Sequence, residues 1–135
     1  MNKIKSFRLA IIWFLFILLL VSIPGTFIPA IQTFAEWLQW DKLTHLVLFG
    51  GFSFLLMIGF LKENHKTPWQ IYCIAISISI LYGAFTEWWQ KYVCINRDGN
   101  MFDFYADTLG AILGGIFYKI LNKPIAKRVL ASNKK

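Results

Sequence analysis

Hydrophobic and polar residues fall in long blocks along this chain rather than at short period. Residues 9–23 form a nearly unbroken apolar run, and extension back to residue 6 brings it to 18 residues, about the shortest length that spans a hydrocarbon core as a helix. Three further apolar runs follow at residues 43–61, 69–89 and 102–121. Breakers and polar steps separate them: Pro24-Gly25, Asp41-Lys42, Lys62 with Pro68, and Arg97-Asp98-Gly99-Asn100. The Asp-Gly step in the last of these is a turn signal. The pattern predicts an all-α fold, a four-transmembrane-helix bundle forming one domain over residues 1–135, with residues 122–135 as a basic tail. Residues 24–40 carry Pro24, Pro29, Phe34, Trp37 and Trp40, and residues 35–40 are expected to lie as a short interfacial helix because tryptophan favours headgroup depth.

A basic head before an apolar run also describes a secretory signal peptide. Val21-Ser22-Ile23 lacks small residues at its outer positions, so the first run is expected to stay as an uncleaved helix.

Composition agrees with the block pattern. Hydrophobic residues make up 57% of the chain and charged residues 16%, with a mean hydropathy of +0.54, outside the range of ordinary soluble domains. A net charge of +7 would suit nucleic acid if the basic residues were clustered on a polar face. Instead, eleven of the 14 lie at the two ends of the chain or at Lys62 and Lys66, flanking apolar runs, where anionic membrane lipids are the expected partner. The same count sets the orientation. Four helices with the N-terminus inside put those eleven on the cytoplasmic side and only Lys42, Lys91 and Arg97 on the other, so both termini are expected in the cytoplasm of a multi-pass cell-membrane protein. Two cysteines, Cys73 and Cys94, do not make a disulfide framework.

This topology gathers the ionisable residues. Asp41 and His45 open the second helix at the outer face, Glu87 closes the third there, and Asp103 and Asp107 open the fourth there. Asp41 and His45, four apart, share a helix face. Asp103, Asp107, Gly110 and Gly114 fall within roughly 60° of one another at 100° per residue, and Gly110-xxx-Gly114 is a close-packing pattern for apolar helices. Gly83 and Gln90 lie one turn to either side of Glu87. The pattern predicts an outward-opening polar pocket floored by small residues, with charges turned toward neighbouring helices as intramembrane acids generally are.

Plainer readings stand beside this one. Asp41 and Asp103 would serve as helix-start acids, Glu87 and Arg97 would pair across a helix end, and the whole set would hold the bundle together as a polar network. Trp88, Trp89 and Tyr92 read as interfacial anchors. Three chemistries suit the set: oxygen and imidazole ligation of a divalent cation, although no standard spaced metal signature is present; general acid–base work on a lipid headgroup with Arg97 on its phosphate; or proton relay and solute binding. The last would need polar residues deeper in the helices, where only Ser53, Ser77 and Ser79 are found.

Asp41-Lys42-x-x-His45, Gly83-x-x-x-Glu87-x-x-Gln90, Arg97 and Asp103-x-x-x-Asp107-x-x-Gly110-x-x-x-Gly114 together resemble the VanZ-like family, over about residues 41–115 and in the family's order. One position departs: Asp107 stands where the family usually has asparagine. The resemblance implies a small multi-pass bacterial membrane protein of the cell envelope, in a family whose namesake is associated with resistance to the glycopeptide teicoplanin. On this reading an outer-leaflet pocket binds or modifies a lipid-linked or cell-wall-derived headgroup. His45, Glu87 and Asp103 are the candidate catalytic centre, and Asp41, Lys42, Gln90, Arg97 and Asp107 the candidate binding residues. The alternative is a non-enzymatic membrane scaffold or interaction protein whose intramembrane charges are structural.

Overall fold

A computed structural model of the chain describes residues 3–27, 40–63 and 68–132. Four α-helices account for nearly all of them: α1 (Lys3–Val21), α2 (Trp40–Glu63), α3 (Pro68–Tyr92) and α4 (Met101–Ser132), with a 3-10 turn at Gly25–Phe27 after α1. The interfacial helix expected at residues 35–40 lies outside the described residues except for Trp40, which starts α2. All four helices are long and apolar enough to cross a membrane. Large apolar side chains such as Ile12, Leu19, Leu81 and Ile116 face outward, as expected where lipid is the solvent.

Local chemistry sets the helix ends. Ser22 turns its hydroxyl back onto the Leu18 carbonyl at 2.6 Å, and Pro24 then prevents α1 from continuing. Pro68 occupies the first position of α3, where its missing N–H costs nothing. Asn100 caps α4, its Oδ1 accepting from the Phe102 N–H at 3.0 Å, a side-chain cap on an orphan helix-start donor. Two expectations change. The turn between α3 and α4 is not at Asp98-Gly99; the left-handed residue is Asn96, at φ 53°, a conformation asparagine tolerates better than most. The fourth helix does not end near residue 121 but continues through the basic segment to Ser132. Ala126, Lys127, Arg128, Leu130 and Ala131 are all good helix formers.

The helices alternate in direction, and α2 touches each of the other three. Its closest partner is α4, which runs parallel to it. A Cβ on Gly110 would overlap the Leu46 carbonyl oxygen, and one on Gly114 would overlap that of Gly50. Only glycine lets the two backbones approach this far, as in other small-residue helix seams. On the opposite flank α1 runs antiparallel to α2. The Trp13 indole donates to the Leu48 carbonyl at 2.8 Å, and Phe14 stacks on Tyr82 with ring centroids 4.1 Å apart. The Tyr82 hydroxyl donates to the Phe14 carbonyl at 2.8 Å, tying α1 to α3 as well. The first helix is thus an integral part of the bundle core.

Replacing Gly114 with valine is expected to destabilise the solubilised protein by more than about 2 kcal/mol, since neither backbone can yield to the added side chain. Trp13→Phe, which removes one interhelical hydrogen bond, should cost only about 1 kcal/mol. Unfolding followed by circular dichroism in detergent will rank the two.

Candidate functional site

The parallel α2–α4 seam determines which polar residues meet. Working from the start of α4, Asp103 faces Lys42, Asp107 faces His45, Gly110 faces Leu46, and Gly114 faces Gly50. The antiparallel α3 enters from its C-terminal end and brings Gly83 and Glu87 to the same depth. His45, Glu87, Asp103 and Asp107 are all buried, Asp107 completely. The expectation that three helices carry their ionisable groups to one end of the bundle therefore holds in space.

At the centre, His45 Nδ1 lies 2.9 Å from Asp107 Oδ1 and 3.9 Å from Glu87 Oε1. The first is a hydrogen bond between an imidazole and a carboxylate; the second is too long for one. Asp107 has room because α3 carries glycine opposite it. A Cβ on Gly83 would stand 3.0 Å from both Asp107 Cβ and Oδ2. The sequence pattern placed Gly83 beneath Glu87; its closer role is to vacate the space that Asp107 fills.

Glu87 is held from its other side. Its Oε2 accepts the backbone N–H of Asn100 at 2.7 Å, so Asn100 both caps α4 and anchors the carboxylate at the end of α3. The loop reaches this position because Gly99 packs directly onto α3: a Cβ there would come within 2.5 Å of the Glu87 carbonyl oxygen and 3.1 Å of Lys91 Cβ. Asn100 was missed in the sequence, where it read as one more loop residue. The only signal for it was its place immediately before an apolar helix, which is where capping asparagines stand.

A second, shallower group adjoins the first. Lys42 Nζ lies 3.6 Å from Asp103 Oδ1, and exposed Asp41 completes a trio with His45 and Asp103 whose donor atoms all fall within 4.8 Å of one another. His45 belongs to both trios, the other being His45, Glu87 and Asp107. Among the described residues, Glu87 Oε1, Asp103 Oδ1 and Asp107 Oδ2 are buried oxygens that accept no hydrogen bond.

Two of the expected binding residues are placed elsewhere. Buried Gln90 points its amide at the Val21 carbonyl, 3.5 Å away, and Arg97 donates its Nε to the Ile23 carbonyl at 3.2 Å. With Trp89 Nε1 donating to Ser22 Oγ at 3.0 Å and the Gly25 N–H to the Ile95 carbonyl at 3.2 Å, they fasten the end of α1 to the end of α3. Arg97 does not pair with Glu87. Helical phase explains the placing of Gln90: it lies about 60° away from Glu87 around α3 at 100° per residue, far enough to face α1 instead of α2 and α4.

A pocket of about 410 Å³ opens beside Glu87, lined by Ala84, Trp88, Lys91 and Tyr92 of α3, by Gly99 and Asn100, and by Met101 and Phe104 of α4. Its wall is apolar and aromatic, with Glu87 and Lys91 as its charged groups. His45 and Asp107 lie behind Glu87 and are not part of its lining. Cys73 and Cys94 are both free thiols.

His45→Ala should destabilise the fold by about 3–5 kcal/mol, because it strands a buried carboxylate without its partner. Asp107→Asn, whose amide oxygen still accepts from His45, should cost no more than about 1 kcal/mol. Thermal unfolding in detergent will separate them, and equal losses would mean that the hydrogen bond contributes little. No family model matches this chain, and neither a curated protein nor a solved structure does.

Proposed function

We propose that this chain is a single-domain VanZ-like integral membrane protein of the bacterial cell envelope, both termini cytoplasmic, whose polar end lies in the outer leaflet and engages the headgroup of a lipid-linked or cell-wall-derived molecule. The observation that carries this reading is the double position of Glu87. One residue at once lines the open pocket and belongs to the buried histidine–carboxylate cluster. A headgroup seated in that pocket would meet an acceptor backed by an imidazole, while Lys91 offers a positive charge to an anionic group. Trp88, Tyr92 and Met101 are well exposed around it, supplying the aromatic and apolar surroundings that suit the membrane–water interface.

A group that transfers protons must reach the reacting atom. Of the cluster, Glu87 is the residue that lines the pocket, and His45 would act only through it. In a modifying reaction Glu87 is therefore the residue in contact with substrate, His45 and Asp107 set its charge and orientation, and Asp103 with Lys42 and Asp41 forms the polar margin. A link to glycopeptide resistance follows from the family resemblance alone.

The non-enzymatic reading draws on a different observation: Asp107 is completely buried and bonds to His45 on a neighbouring helix, as expected of interhelical glue. The two readings separate cleanly by experiment. Glu87→Gln keeps the Asn100 contact and the shape of the side chain but removes its basicity. In cells expressing this variant at wild-type membrane level, the headgroup reading expects an unchanged fold together with loss of any glycopeptide tolerance or altered lipid fraction that the wild type confers. A variant that performs as wild type would support the structural role.

A further inference from the structure

We infer that His45, Glu87 and Asp107 form a binding site for a divalent first-row transition-metal ion. This goes beyond the headgroup reading and does not depend on it, although the two share Glu87.

Three observations converge on the same point. The first is geometric. A metal ion about 2.1 Å from each donor holds neighbouring donors roughly 3.0–3.4 Å apart at tetrahedral or octahedral angles. The distances from His45 Nδ1, 2.9 Å to Asp107 Oδ1 and 3.9 Å to Glu87 Oε1, bracket that separation, and all three donor atoms fall within 4.8 Å of one another. The three side chains come from three different helices, so no single segment could have brought them together.

The second observation is independent of the clustering. Glu87 Oε1 is buried, aimed at Nδ1, and accepts no hydrogen bond among the described residues, and Asp107 Oδ2 is likewise buried and without a donor. Buried carboxylate oxygens are ordinarily satisfied, and stranding two of them in the apolar interior of a helix bundle is costly. A cation between the side chains would take the stranded Glu87 Oε1 as a ligand and neutralise both carboxylates.

The third is charge. Two carboxylates and a neutral imidazole carry a formal charge of −2, which a divalent ion cancels; a protonated imidazole cancels only half. Lys42 is committed to Asp103 at 3.6 Å and is not a substitute. One nitrogen with two or more carboxylate oxygens suits Mn²⁺, Fe²⁺ or Zn²⁺ better than the all-oxygen preference of Mg²⁺ and Ca²⁺. The ion would take the place of the proton shared between Nδ1 and Oδ1, since a ligating imidazole nitrogen must be deprotonated. Glu87 also lines the open pocket, so the three donors adjoin it.

The test uses the full chain in detergent, stripped with chelator and then titrated separately with Mn²⁺ and Zn²⁺ in the absence of added lipid. Bound metal is read by elemental analysis after gel filtration, and unfolding temperature is recorded in parallel. We expect one ion per chain for at least one of the two metals, a rise in unfolding temperature on loading, and at least a tenfold loss of affinity in both Glu87→Gln and Asp107→Asn. These variants preserve side-chain shape, and their metal-free circular dichroism verifies folding before titration. Failure of the wild type to bind either metal overturns the assignment. So does binding that persists at wild-type strength in both variants, as zinc held by Cys73 or Cys94 would. Because no lipid is present, either negative result leaves the headgroup reading standing.

Discussion

The backbone contact between α2 and α4 is the constraint on which the rest of the polar end depends. Gly110 and Gly114 bring α4 against the carbonyl oxygens of Leu46 and Gly50, and at that separation the side chains one turn away are forced together. His45 and Asp107 are those side chains. Without the glycines, the helices would stand apart by the thickness of an ordinary side chain, and a completely buried aspartate would have no partner. The polar centre is therefore a consequence of apolar packing further along the same two helices.

The third helix works by the same logic from the other side. Gly83 removes a side chain where Asp107 needs space, and Glu87 arrives one turn later beside His45. The loop after α3 then closes over Glu87, because Gly99 lets it lie directly on the helix and Asn100 turns its N–H to the carboxylate. This arrangement fixes Glu87 through Oε2 and sets it between His45 and the pocket that it lines. Rigid support with partial access is what a functional carboxylate requires, and it is also compatible with a purely structural role.

The bundle divides its polar work between two sets of contacts. Gln90, Trp89 and Arg97 bond to groups at the end of α1, Ser22 and the carbonyls of Val21 and Ile23, and so fix the first helix against the α3–α4 connection. His45, Lys42 and the acidic residues form a separate cluster among α2, α3 and α4. Residues adjacent in sequence thus serve different ends: Glu87 joins the cluster, while Trp89 and Gln90 leave it for α1.

Read alone, the sequence determined the features that depend on the chain's local period and composition. Four apolar blocks long enough to span a bilayer, their alternating direction, the gathering of acids at one end, and the stripe of Asp103, Asp107, Gly110 and Gly114 all follow from hydropathy and a rotation of about 100° per residue. Element ends were less legible. The helical continuation of α4 to Ser132 was hidden because a run of basic residues breaks the hydropathy signal without breaking the helix. What only the tertiary structure decided was partnership: that Asp107 meets His45, that Gly83 makes room for it, that Asn100 holds Glu87, and that Gln90 and Arg97 turn to α1. These depend on how far apart the helices stand and how each is rotated about its axis, quantities set by packing across the whole bundle. A residue's own neighbours in the chain carry no record of them.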